Sequence, residues 1–206
     1  MATLLALDSS PLASSVSREL TREFISNWRI THPSGQVIYR DLAANPPKTV
    51  DQGWIYAAHT PEEALQPEQK AALAFSNECI DELVRADEYV VGVAMHNFSI
   101  PSVLKLWIDQ VVRAGRTFSY GGSDGPKGLL LGKKATILAA TGGVYDQGTP
   151  YAGMNFIDPY LRTILGFLGI TDVTFVTAGG TAQLRSGADR GEFLKPHLEL
   201  VRSIAV

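Results

Sequence analysis

Five short apolar runs, each bounded by turn residues and each followed by sequence of helical character, restrict this chain more than any other feature. They are TLLALDS (3–9), QVIYRDL (36–42), EYVVGVAM (88–95), KKATILAAT (133–141) and TDVTFVTAG (171–179). Continuous short apolar runs of this kind read as strands of a parallel sheet, covered on both faces. Over 15–30 the apolar residues Val16, Leu20, Phe24, Ile25 and Trp28 recur near a 3.6-residue period, and further helices are expected at 67–87, 101–115, 158–170 and 188–203. Pro101 starts and Gly115 stops the third of these, while Gly166 and Gly169 weaken the second half of 158–170. The alternation predicts βαβ units and a doubly wound α/β fold. Its five-stranded parallel sheet has the order 2-1-3-4-5, helices cover both faces, and one domain spans 1–206. Two connections, 45–66 and 117–132, exceed ordinary loop length. They carry Trp54, Tyr56, Phe118 and Tyr120, so packing or function is expected of them and not disorder.

In such a sheet, ligands bind outside the carboxyl ends of the strands, where the strand order reverses. That places the chemistry in three loops: 9–17, 95–100 and 140–148. The first holds five serines between Ser9 and Ser17, with no lysine and with Arg18 the nearest cation. A helix starting near Ser15 offers free backbone N–H groups and a positive dipole end, and serine hydroxyls add neutral donors, so the segment suits a phosphate. Capping by Ser14 or Ser15 would account for one hydroxyl, not five. The second loop brings Met95, His96, Asn97 and Phe98 off the most buried strand, a set suited to a flat heteroaromatic ring. In the third, Gly142 and Gly143 allow close backbone approach, and their N–H groups could stabilise negative charge on such a ring.

Other readings weaken on inspection. Net charge is −3, which argues against phosphate neutralisation of nucleic acid. No run reaches the roughly 18 apolar residues of a membrane span, and no basic segment precedes the first strand as a secretory signal would require. The lone cysteine, Cys79, lies in helical sequence and reads as a buried thiol, consistent with a reducing cytoplasm. GLLLGKKAT is not a P-loop, because Lys127 stands at the first glycine position and Lys134 at the Ser/Thr position. His32, His59 and His197 share no metal-ligand spacing.

The segment MHNFSIPSVLKLWIDQVVRAGRTFSY (95–120) resembles the FMN-dependent azoreductases, relatives of the flavodoxin-like NAD(P)H:quinone oxidoreductases. The resemblance extends over the SSPLASSVS loop, RDLAANP, GKKA, TGG and PYLRTILGFLGITDV. It implies a homodimer with one FMN per subunit at the interface. Ser10, Ser15, Val16 and Ser17 would hold the phosphate, Met95, His96, Asn97 and Phe98 would line the isoalloxazine, and Ala140, Thr141, Gly142 and Gly143 would reach its pyrimidine end. Phe98 and Tyr120 would border the acceptor slot, Tyr120 reaching across from the other subunit. Leu106, Trp107 and Val111 on the apolar face of 103–112 are expected to contribute to the dimer. The implied reaction is ping-pong: NAD(P)H reduces the flavin and leaves, then a quinone or azo compound takes two electrons. Two departures stand out. The family often has Pro-Met-Tyr-Asn-Phe and Ser-Arg-Gly-Gly where this chain has Ala94-Met95-His96-Asn97-Phe98 and Ala140-Thr141-Gly142-Gly143. The alternatives are a flavodoxin-like electron carrier and, from LALDSS, a doubly wound serine esterase. The esterase needs a late Asp-x-x-His, and Asp189 and His197 are too far apart for it.

Overall fold

The computed structural model describes residues 1–121 and 125–205. The strands β1 (Thr3–Asp8), β2 (Gln36–Asp41), β3 (Glu88–Ala94), β6 (Lys134–Ala140) and β7 (Asp172–Ala178) form one parallel sheet in the order β2-β1-β3-β6-β7. This is the order 2-1-3-4-5 expected from the sequence. Two short strands, β4 (Phe118–Tyr120) and β5 (Pro126–Gly128), make a separate antiparallel pair.

Alternation along the buried strands divides the core in two. Leu5, Leu7, Tyr89, Val91, Val93 and Ile137 meet helices α3 (Pro67–Arg85), α4 (Ser102–Val111) and α5 (Ile157–Phe167) on one face. Leu4, Ala6, Val90, Leu138 and Val176 meet α1 (Val16–Thr31) and α6 (Arg190–Ile204) on the other. All six residues of β1 are buried, which is why that run shows no polar alternation.

Several expectations are corrected. The connection 45–66 contains α2 (Gln52–His59) and a 3-10 turn at Glu62–Ala64. Asp51 caps α2 by accepting from the Trp54 N–H at 2.8 Å. The Trp54 indole then donates to buried Gln110 at 2.8 Å, and Gln110 donates to the Lys48 carbonyl at 2.9 Å, so the segment is tied to α4. The connection 117–132 is the β4–β5 pair, whose central residues 122–124 lie outside the described ones. The helix expected at 101–115 stops at Val111, and Gly115 adopts φ +77° in the turn beyond it. Trp107 and Val111 are core residues of α4, so that helical face is largely used inside the chain and leaves Val103, Leu106 and Val112 partly exposed.

Cys79 is fully buried on α3, where burial pushes its thiol up to about 11. The GKKA segment has a structural role: Lys133 Nζ donates to the carbonyls of Val84 and Ala86 at the end of α3.

Candidate functional site

The β1–α1 loop is fixed before it reaches any ligand. The Ser9 amide and hydroxyl both donate to the Gly92 carbonyl, at 3.2 and 2.7 Å, joining β1 to β3. The Arg18 guanidinium reaches back from α1 and donates to the Ser10 carbonyl through Nε at 2.9 Å and Nη2 at 2.6 Å. Ser15, the residue before α1, makes no capping bond with its side chain. Its hydroxyl lies 3.0 Å from that of Ser17, and both side chains are buried. Among the described residues, the amides of Val16, Ser17 and Arg18 donate to no protein acceptor. The helix therefore presents uncapped N–H groups beside two hydroxyls bonded only to each other, as an oxyanion site requires. The capping explanation for the serines is not what the structure contains. Val16 contributes its amide here, since its side chain belongs to the core.

After β3, Asn97 and Phe98 both take positive φ, +48° and +70°. Reciprocal bonds between the backbones of His96 and Ser99, at 2.9 and 3.0 Å, close a tight turn around them. A bulky residue at φ +70° is strained, and such strain persists where the surroundings impose it, often at ligand sites. The turn leaves the Phe98 side chain 41% exposed at the sheet edge. Met95 is placed differently: its side chain packs against the core, and its amide donates to the Ala140 carbonyl at 2.8 Å.

After β6, Ala140 is buried and Thr141 is committed on every side. Its amide donates to Ala178, its hydroxyl to the Gly143 carbonyl at 2.8 Å, and its carbonyl accepts from Thr181. The Gly142 and Gly143 amides donate to no acceptor among the described residues, and a Cβ at Gly142 would meet open space. Tyr145, which sequence reasoning passed over, bridges this loop to the previous one. A Cβ at Gly143 would lie 3.2 Å from its hydroxyl oxygen, and its ring meets Phe98 edge-on with centroids 6.2 Å apart.

The structure thus brings Ser10, Ser15, Val16, Ser17, the 95–98 turn and the 140–143 loop to one edge of the sheet. It does not bring Tyr120 there within one chain. Phe98 binds the start of α5, its carbonyl accepting from Phe156 N–H at 3.0 Å. The β4–β5 pair packs on the far end, where the Phe118 and Phe167 rings stand 4.7 Å apart and Leu130 N–H donates to Leu168. Eleven helical residues separate the two places by about 16 Å. Tyr120 projects there with 76% exposure.

A second layer lies behind the β1–α1 loop and was also missed. Asp8, buried at the end of β1, accepts from Tyr39 Oη at 2.8 Å, and Arg18 Nη1 stands 3.6 Å away. Its other oxygen, Oδ1, has no partner and occupies space left by Gly92, where a Cβ would come within 2.5 Å. Asp41 accepts from Arg18 Nη2 at 2.6 Å and from the amides of Ala43 and Ala44 at 3.0 Å each. Burial raises the Asp8 pKa, while the bond from Arg18 lowers that of Asp41. The signs are opposite. Asp41 contributes stability above its unfolded pKa of about 3.9 and loses it as pH falls through the lower folded value; Asp8 contributes below its unfolded pKa and loses that as pH rises through the higher one. Asp41→Asn is expected to cost about 1–2 kcal/mol at neutral pH, with the deficit fading below about pH 4. Asp8→Asn should cost less at neutral pH. Urea melts at several pH values will show this, and equal losses for both variants would refute it.

No group of His, Cys, Asp and Glu among the described residues is arranged to hold a metal ion, and no helix among them is long and apolar enough to cross a membrane. Asp189 caps α6 by accepting from the Glu192 amide, while His197 packs its ring on Phe193, so this pair forms no catalytic couple.

Comparison with known proteins places these features in context. A family model described as a flavodoxin-like fold matches residues 2–199. A protein of Acidobacterium capsulatum named FMN-dependent NADH:quinone oxidoreductase is 63% identical over 207 residues, covering 100% of both chains. Among solved structures, an azoreductase from Bacillus anthracis superposes with a TM-score of 0.89 at 30% identity, covering 100% of this chain and 99% of that one. An FMN-dependent NADH-azoreductase from the same species, in complex with FMN, gives 0.88 at 27% identity, with 100% and 98% covered.

Proposed function

The chain belongs to the family with the flavodoxin-like fold, and on that footing we propose that it is an FMN-dependent oxidoreductase that draws electrons from NADH and delivers them to quinones, with azo compounds as further acceptors. The observation that carries this reading is the uncapped start of α1. Its free amides and the buried Ser15–Ser17 pair lie at the same sheet edge as the strained Asn97–Phe98 turn and the free Gly142 and Gly143 amides.

The residues present fit FMN. Ser10, Ser15 and Ser17, with the Val16 amide, hold the phosphate; the 95–98 turn positions the ring; the Gly142 and Gly143 amides offer donors to its pyrimidine end, with Ala140 and Thr141 fixing that loop from below. When bound, FMN supplies two-electron redox chemistry, accepting hydride from a nicotinamide and releasing electrons to a second substrate in a ping-pong cycle. The protein's part is orientation, exclusion of water and placement of donors where negative charge gathers. No side-chain nucleophile is required.

The acceptor slot is completed in a homodimer. Within one chain the β4–β5 pair that carries Tyr120 packs on the end of α5 opposite the one bound by Phe98, about 16 Å along the helix, so Tyr120 borders a slot with Phe98 by entering that of a second copy. The exposed apolar side chains of Leu129 and Leu131 beside the β4–β5 pair suit such a contact.

The test is reconstitution. Apo-protein titrated with FMN should bind one equivalent per chain, and quinone should then stimulate NADH consumption. Flavin bound without NADH oxidation would favour an electron carrier, and no flavin binding would reject the reading.

A further inference from the structure

Away from the 95–98 and 140–143 loops, two guanidinium groups converge on one amide oxygen. Arg113, just beyond the end of α4, donates through Nη1 to Ser76 Oγ at 3.0 Å and to Asn77 Oδ1 at 2.6 Å. Arg116 donates through Nη1 to the same Asn77 oxygen at 3.0 Å. Arg113 Nε is buried and has no hydrogen-bond partner. Among the described residues, no carboxylate lies within 4.0 Å of Arg113, whereas Arg18, Arg40, Arg190 and Arg202 all have one. The carboxylate of Arg116 is Asp81, at 2.7 Å on the exposed side. The Trp54 ring, 5.9 Å from the Arg113 guanidinium, gives only weak compensation.

Like charges held together in a half-buried place are costly unless a counter-charge joins them. Here they open onto a recess of about 250 Å³ lined also by Thr60, Glu62 and Gly115. We propose that this recess is a binding site for a phosphate-type oxyanion, held by Arg113 and Arg116 and oriented through Asn77. The two forks meet at Asn77 Oδ1, and a phosphate group can accept from both at once, through separate oxygens. The recess lies away from the 95–98 turn at the sheet edge described above. The 95–98 turn precedes α4 and Arg113 follows it, ten helical residues or about 15 Å apart. A free phosphate or pyrophosphate and the diphosphate of a dinucleotide share this chemistry; only the second source rests on the function proposed above. The rival occupant is Glu62, which lines the recess yet forms no ion pair with either arginine.

Pyrophosphate titration by calorimetry, in phosphate-free buffer with FMN added to saturation, tests the site whether or not the protein is a reductase. Saturable binding is expected, weakened at least tenfold in Arg113→Gln and in the more exposed Arg116→Gln, and strengthened in Glu62→Gln. Steady-state kinetics then separate the sources. A KM increase for NADH in Arg116→Gln, absent for a dihydronicotinamide that lacks phosphates, assigns the anion to the donor. Unchanged KM for both, with pyrophosphate affinity lost, assigns a free anion. Absence of saturable binding, or binding equal in wild type and both arginine variants, overturns the proposal. So does a Glu62→Gln protein that melts earlier and binds pyrophosphate no better, because Glu62 would then be the counter-charge.

Discussion

Replacing Ser15 and Ser17 together by alanine weakens FMN binding by about 1–3 kcal/mol, roughly five- to 150-fold, when apo-protein is titrated with the cofactor. The expectation follows from what these hydroxyls do without ligand. They lie 3.0 Å apart, buried, and neither caps α1. Removing them takes no bond from the helix, so the variant should fold normally and lose donors to a charged phosphate. The loss is limited because the α1 amides remain. Arg18 stays in place through Asp41 and the Ser10 carbonyl, and continues to hold the loop from behind. Unchanged affinity would mean that the phosphate lies elsewhere.

The second large effect concerns the β4–β5 pair. Tyr120→Ala is expected to change kcat/KM for quinone or azo acceptors about tenfold, one decade for about 1.4 kcal/mol, while FMN content stays near one per chain. Gly128→Val should reproduce the kinetic defect by another route. A Cβ at Gly128 would lie 2.2 Å from the backbone at Leu168 and Gly169, so the pair cannot stay seated on the end of α5. That variant should also lose about 1–3 kcal/mol of stability, whereas Tyr120→Ala, at 76% exposure, should lose little. Wild-type kinetics in both variants would show that Tyr120 does not border the slot. Loss of FMN in Tyr120→Ala would make the residue structural.

The central strands were legible because a parallel strand covered on both faces must carry a continuous apolar run, and 4–7, 89–95 and 137–140 are such runs. The serine-rich segment 9–17 stood out because so many small hydroxyls between strand and helix have few other uses, and the structure leaves the Ser15 and Ser17 hydroxyls out of the cap of α1. What stayed hidden depends on pairings between distant residues. Asp8, Arg18, Tyr39 and Asp41 become one cluster only when β1, β2 and α1 are side by side. The burial of Trp107 and Val111 depends on the sheet and α3 closing over α4, which helical periodicity alone does not reveal. In α2, eight residues give too little periodicity to recognise, and its anchor is the Trp54–Gln110 bond across 56 positions. Tyr145 sits in a turn-rich stretch, and its place is set by Phe98 and Gly143.

The most direct measurement is the pair of half-reactions followed separately under anaerobic conditions. Flavin-loaded protein mixed with a single equivalent of NADH per chain should lose its yellow absorbance with no acceptor present. A quinone added afterwards, with the spent nicotinamide removed, should restore the absorbance in full. Absorbance that persists in excess NADH, or that NADH bleaches and quinone fails to restore, would contradict the account.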